Sequence, residues 1–170
     1  MLTWYRNNIL HLLALPSLVA CLLVNRRRGI TTTRLKASID LVYPYIAREL
    51  CASLPANTDA ALDSMQKLGL VRRDDEVILP AAQHSEQRLP LLLLSKLINE
   101  TLERMYIVLS LAHHGRHTRE SLCQRSQVAA QQMARLHGIN APEFFDQGLF
   151  DQFVDALLAN HHLQTDTDET

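Results

Sequence analysis

The sequence has 170 residues, 47% of them apolar, which is enough to bury one sizeable core or two small ones. Seventeen Lys and Arg stand against eighteen Asp and Glu, so the summed field is near zero and excludes a general pull toward nucleic acid or another polyanion. Aromatic content of 5% and only five glycines disfavour sandwiches and barrels and leave helices as the dominant element. Cys21, Cys51 and Cys123 are odd in number and widely spaced. They imply neither a disulfide framework nor a thiolate metal site, and point to a reducing compartment.

The run from Ile9 to Val24, ILHLLALPSLVACLLV, has the greasiness of an export signal, and Leu18-Val19-Ala20-Cys21 has the look of a lipoprotein cleavage box. A secretory signal, however, carries its positive charge before the apolar core, whereas here Arg26, Arg27 and Arg28 follow it. A membrane span needs about 20 apolar residues, and this run is interrupted by His11, Pro16 and Ser17. It reads instead as a buried or membrane-grazing helix, bent or split near Leu15 by Pro16. The three arginines are either a solvated helix end or a contact with a membrane surface.

Gly29 closes the first segment, and Thr31 to Thr33 offer caps for a second helix with Leu35, Ile39, Val42, Ile46 and Leu50 at helical spacing. Pro44 is expected to divide that helix in two. Thr58 is the expected cap of a third helix, with Leu62, Met65 and Leu68 inward and Gly69 at its end. The following LVRRDDEVIL reads as a β-hairpin whose turn spans Arg72 to Glu76. Helices followed by a hairpin make a winged-helix-like pattern. DNA binding is not expected of it, because the third helix carries Asp59 and Asp63 against a single Lys67.

From Ser85 the chain reads as one central helix running to Gly115, with Leu91 to Leu94 in the core and Glu100 to Arg104 as an i,i+4 pair. Thr118 should cap the next helix, with Leu122, Ala129, Met133 and Leu136 inward and Gly138 ending it. The last helix, after Pro142, should bury Phe150, Phe153, Val154, Leu157 and Leu158. The expected architecture is therefore mainly α: a winged-helix-like subdomain over 1–82 with a small β-hairpin, an abutting helical subdomain over 83–162, and a disordered acidic tail over 163–170.

Candidate site residues are few. His113, His114 and His117 cluster in a connection, where imidazoles bind Zn²⁺ only with a further ligand and a second shell; they read as exposed loop residues, and no metal or cofactor is expected. His11 reads as a hydrogen-bonded core residue and His137 as a helix-terminal charge. His161 and Asp166 satisfy a His-x-x-x-x-Asp spacing, but at the end of a helix running into an acidic tail, with no oxyanion donors in view, the match reads as accidental. Tyr5, Arg6, Asn7 and Asn8 precede a greasy helix and are either its capping network or a docking surface for another domain.

Two stretches are more specific than their physics requires. Tyr5-Arg6-Asn7-Asn8-Ile9 with His11 and Leu15-Pro16-Ser17-Leu18 resembles the opening of the C-terminal region of glycerol-3-phosphate acyltransferases. Leu136-His137-Gly138-Ile139-Asn140-Ala141-Pro142-Glu143-Phe144-Phe145-Asp146 resembles a block near the end of the bacterial enzymes, and Val42-Tyr43-Pro44 and Lys67-Leu68-Gly69-Leu70 lie between in matching order. The resemblance implies a role in transferring an acyl group from acyl-CoA or acyl carrier protein to the 1-hydroxyl of sn-glycerol 3-phosphate in phospholipid synthesis. In that family a His-x-x-x-x-Asp pair supplies the general base and its orienting carboxylate, and it lies upstream of the region matched here. The chain is thus expected to be a supportive C-terminal piece, without catalytic residues of its own, whose partner is a missing N-terminal catalytic domain. On this reading Tyr5, Arg6, Asn7, Asn8 and His11 dock that domain. Arg26, Arg27 and Arg28 touch the cytoplasmic side of the inner membrane, where the protein sits peripherally. The competing reading is a helical membrane-surface interaction module with no enzymatic role.

Overall fold

A computed structural model describes residues 2–139 and 141–163, with side chains from residue 10 onward. The apolar run of the N-terminus forms one helix, α1 (Leu2–Leu23), which buries Ala14, Leu15, Leu18, Val19 and Leu23. Pro16 does not split it. The backbone bond that Pro16 cannot make would end on the carbonyl of Leu12, a residue 69% exposed, so water reaches the orphaned acceptor. The same holds in α2 (Thr32–Leu50), which continues through Pro44 instead of dividing there: the bond lost at Pro44 belongs to exposed Asp40.

Between these helices lies β1 (Ile30–Thr31), a strand too short to announce itself in sequence. Thr31 then caps α2, its side chain accepting from the Arg34 N–H at 3.4 Å. The helix buries Leu35, Ile39, Tyr43, Ile46 and Ala47, while Val42 and Leu50 are only half-buried. Each fully buried Leu or Ile contributes about 1.5–3 kcal/mol. Next, α3 (Thr58–Lys67) is capped by Asn57, not Thr58: the Asn57 side chain accepts from Ala60 N–H at 3.1 Å, and Thr58 is buried in the first turn. Ala61, Leu62 and Met65 face inward; Leu68, expected beside them, lies past the helix end and is 67% exposed.

The hairpin comprises β2 (Val71–Asp74) and β3 (Val77–Pro80), so Arg72 and Arg73 are strand residues and only Asp75 and Glu76 turn the chain. Antiparallel pairing sets Arg72 opposite Leu79 and Arg73 opposite Ile78. β1 adds to the far side of β3, Ile30 opposite Ile78, giving the order β1-β3-β2. Helix, strand, two helices and a hairpin that closes on the first strand are the connectivity of a winged helix. After it, α4 (Arg88–Lys96) runs back along α1: the Arg88 guanidinium donates to the Val24 carbonyl, and the Cys21 thiol donates to the Ser95 carbonyl at 2.8 Å.

The chain divides into a unit of residues 1–99 and a unit of residues 100–170. The expected boundary at 82/83 falls before α4, which belongs with α1. The single helix expected from Ser85 to Gly115 is also two, α4 and α5 (Asn99–His114). Of the leucines assigned to a core, Leu91 is buried while Leu92 and Leu93 are 38% and 55% exposed, since a helix packed on one neighbour buries only one face.

In the second unit α5 buries Met105, Ile107 and Val108. Arg104, 5% exposed, donates to the Glu143 carbonyl and the Thr101 hydroxyl, both at 3.3 Å. Thr118 caps α6 (Arg119–His137), accepting from Ser121 N–H at 3.2 Å, and Gly138 ends it in the left-handed conformation. The buried face of α6 is Leu122, Cys123, Ser126, Ala130 and Ala134. It sits one residue away from the face expected through Ala129, Met133 and Leu136, and Leu136 is 81% exposed. A 3-10 turn (Pro142–Phe145) buries Phe144, and Asp146 caps α7 (Gln147–Ala159), whose buried residues are Phe150, Phe153, Val154, Ala156 and Leu157. Leu158 is half-buried. Across α6 and α7, Arg119 holds Asp155 with two bonds of 2.6 and 2.8 Å. The acidic end, residues 164–170, lies outside the described residues.

Candidate functional site

The three arginines after α1 sit on a built turn. Arg26 N–H donates to the Leu23 carbonyl at 2.8 Å, and Gly29 N–H donates to the Arg26 carbonyl at 2.9 Å. Gly29 takes φ +70, where a Cβ would collide with the Ile78 carbonyl and lie 2.8 Å from Val77 Cγ1. The turn is therefore pressed against β3, and Arg26, Arg27 and Arg28 are all exposed.

Of the residues assigned to docking, Tyr5, Arg6, Asn7 and Asn8 have side chains outside the described residues. Their backbone lies inside α1, which begins at Leu2, so they do not stand before the helix as a capping network would. His11 follows them on α1 and is half-buried.

The histidines do not assemble a centre. His113 and His114 are in the last turn of α5, exposed, their rings edge to face at 5.3 Å. His114 Nδ1 lies 2.7 Å from the Ser110 carbonyl, and His117 Nδ1 lies 3.5 Å from the Arg125 guanidinium. Among the described residues no group of three or more His, Cys, Asp or Glu is placed to hold a metal ion. His161 is exposed past the end of α7 with φ +56, and Asp166, its partner by spacing, lies outside the described residues. Two of the three thiols are quiet: burial pushes Cys21 up to about 11, and burial followed by a hydrogen bond with Asp151 pushes Cys123 up to about 12. Both stay protonated at neutral pH and are poor nucleophiles.

The acids of α3 are occupied. Lys36 bonds Asp59 at 2.9 Å and holds its carboxyl below the usual carboxylate range, and Arg73 pairs with Asp63 at 2.8 Å. The helix that reads DNA in a winged helix thus presents carboxylates already paired to nearby cations. No helix among the described residues is long and apolar enough to cross a membrane. Sequence reading missed two residues that the fold brings beside Arg27: Arg72, assigned to a turn, and Arg88, passed over ahead of the leucine run. Their only sequence signal was being arginines at the edges of apolar segments.

The described residues thus form a mainly helical fold whose first unit has the connectivity of a winged helix. A family profile described as the glycerol-3-phosphate acyltransferase C-terminal region matches residues 1–166, and the chain belongs to that family. Three relatives carry the name glycerol-3-phosphate acyltransferase. Those from Alteromonas mediterranea and Pseudomonas entomophila are 35% and 36% identical over 98% and 99% of this chain. That from Pseudoalteromonas atlantica is 37% identical over 94%. The alignments take in 21%, 21% and 20% of those relatives, so the chain spans about a fifth of their length. No solved structure matches.

Proposed function

We propose that this chain is the C-terminal helical module of a glycerol-3-phosphate acyltransferase. It works with an N-terminal catalytic domain that moves an acyl group from acyl-CoA or acyl carrier protein onto the 1-hydroxyl of sn-glycerol 3-phosphate. The observation that carries the reading is the match to the C-terminal region family across residues 1–166, set against coverage of only a fifth of each relative. The exposed positions of His113, His114 and His161 at helix ends support assigning the chemistry to the other domain. The module's part is to support that domain, with the start of α1, Tyr5 to His11, as the docking segment. Exposed Arg26, Arg27 and Arg28 support peripheral contact with the anionic cytoplasmic face of the inner membrane.

The test is reconstitution. The N-terminal four-fifths of the Pseudomonas entomophila relative is expressed with and without this chain and assayed with acyl-CoA and glycerol 3-phosphate. Acylated product is expected only when both pieces are present, and Arg6→Ala should reduce it. Product from this chain alone, lost in His161→Ala, would overturn the proposal; so would a lack of any rescue, which would favour a module without an enzymatic role.

A further inference from the structure

Near the base of the wing, the first unit holds a cavity of about 160 Å³ bounded by Val24, Arg27, Arg72, Pro80, Ala81 and Arg88, with Gln83 also on its wall and no carboxylate in its lining. Its three guanidiniums come from three separate elements: the turn after α1, strand β2, and the first residue of α4. We propose that Arg27, Arg72 and Arg88 form a binding site for a single phosphoryl group, either inorganic phosphate or the phosphomonoester head of a membrane lipid.

Three observations carry this. First, the positive charges are not neutralised from within. Arg27 and Arg72 make no ion pair or side-chain hydrogen bond among the described residues, although Arg73, the next residue along β2, is paired with Asp63 at 2.8 Å. Strand alternation turns one arginine toward α3 and its neighbour to the opposite face, beside Leu79. Like charges gathered round one cavity repel, and an anion removes that repulsion.

Second, the elements that carry the donors are fixed in place. Arg88 donates to the Val24 carbonyl, which anchors its fork and leaves further N–H groups for a ligand. The backbone of Arg72 is held by its strand register opposite Leu79, and the turn bearing Arg27 is pinned where Gly29 passes β3. A planar guanidinium matches two phosphoryl oxygens at once, so three such forks round one cavity, one of them anchored at Val24, favour a tetrahedral anion over a chloride ion. Because α4 begins at Arg88, the positive end of its dipole lies on the same side.

Third, the size is restrictive. A cavity of about 160 Å³ is well below the roughly 300–1,000 Å³ of sites that enclose drug-sized ligands. It is large enough for one phosphoryl group and too small to enclose a whole nucleotide or an acyl chain. The site goes beyond the acyltransferase reading and does not depend on it. It also differs from the general surface contact of Arg26 to Arg28, because Arg26 and Arg28 do not line the cavity.

The experiment titrates the purified full chain with inorganic phosphate, following arginine side-chain resonances by NMR, and measures sedimentation with phosphatidylcholine vesicles with and without phosphatidic acid. Saturable phosphate binding is expected. Arg72→Gln and Arg27→Gln should each weaken it about tenfold or more, and Arg72→Lys, which keeps the charge but loses the fork, should fall between. The pair Arg26→Gln and Arg28→Gln should leave phosphate binding unchanged while lowering vesicle binding, so a failure of the membrane reading shows separately. Vesicle binding that requires phosphatidic acid, depends on Arg72 and is competed by phosphate identifies the lipid head as occupant. Phosphate binding without that dependence identifies the soluble anion. The proposal fails if Arg27→Gln and Arg72→Gln, shown folded by circular dichroism, bind phosphate as the parent does. It also fails if the Arg26 and Arg28 changes weaken phosphate binding equally.

Discussion

At the scale of single residues, Gly29 and Gly138, two of the three left-handed glycines among the described residues, share nearly the same backbone conformation, φ +70 and +65, but not the same surroundings. A Cβ on Gly138 would meet nothing within 4 Å, so Gly138→Ala carries only the conformational cost, about 1 kcal/mol. On Gly29 the added carbon strikes the Ile78 carbonyl, a backbone atom held by the sheet. That atom cannot yield without disturbing the β1–β3 pairing, and Gly29→Ala should cost about 3 kcal/mol or more. Urea midpoints of the two variants against the parent read the difference directly. Equal shifts would mean that the turn is not pressed on β3, and the placement of Arg27 beside the cavity would lose its support.

Within the elements, Pro44 makes a sharper case than Pro16, because the side chains of the whole surrounding helix are described. Its ring removes one backbone bond from α2 without ending it, and the acceptor left over belongs to exposed Asp40. Water at that carbonyl offsets part of the usual penalty of about 3 kcal/mol for an interior proline. Pro44→Ala should therefore raise stability, but only by about 1 kcal/mol, measured by denaturant unfolding. A loss instead would mean that the proline bend is what seats Tyr43 and Ile46 in the core. The same comparison shows what the sequence made legible. Helix ends written in local chemistry were readable: Thr118 caps α6 and Gly138 closes it as their types predict. The break between α4 and α5 was not, because Ser95 to Glu100 contains neither Gly nor Pro and Ile98 is buried like any helix-core residue. β1 escaped because two residues have no periodicity, and its partner, β3, lies far along the chain.

For the whole molecule, the exposed Arg26 to Arg28 cluster could be read from its position after an apolar run, whereas the meeting of Arg27, Arg72 and Arg88 could not: it exists only once the sheet register and the return of α4 along α1 are set. The contacts that cross the expected boundary at residue 82 arise in the same way. A chain cut at residue 82 would keep the winged-helix connectivity but strip α1 of Leu91, which is completely buried, and of the Cys21 to Ser95 and Arg88 to Val24 bonds. Burying Leu91 alone is worth about 1.5–3 kcal/mol. Residues 1–99 expressed separately should thus melt cooperatively and at a clearly higher temperature than residues 1–82, while residues 100–170, a smaller unit with a larger surface for its volume, should be the more marginal piece. Thermal unfolding followed by circular dichroism compares all three. If 1–82 were as stable as 1–99, α4 would contribute nothing to the first unit, and the wall of the cavity supplied by Arg88 would have to be assigned to a mobile segment instead of a fixed one.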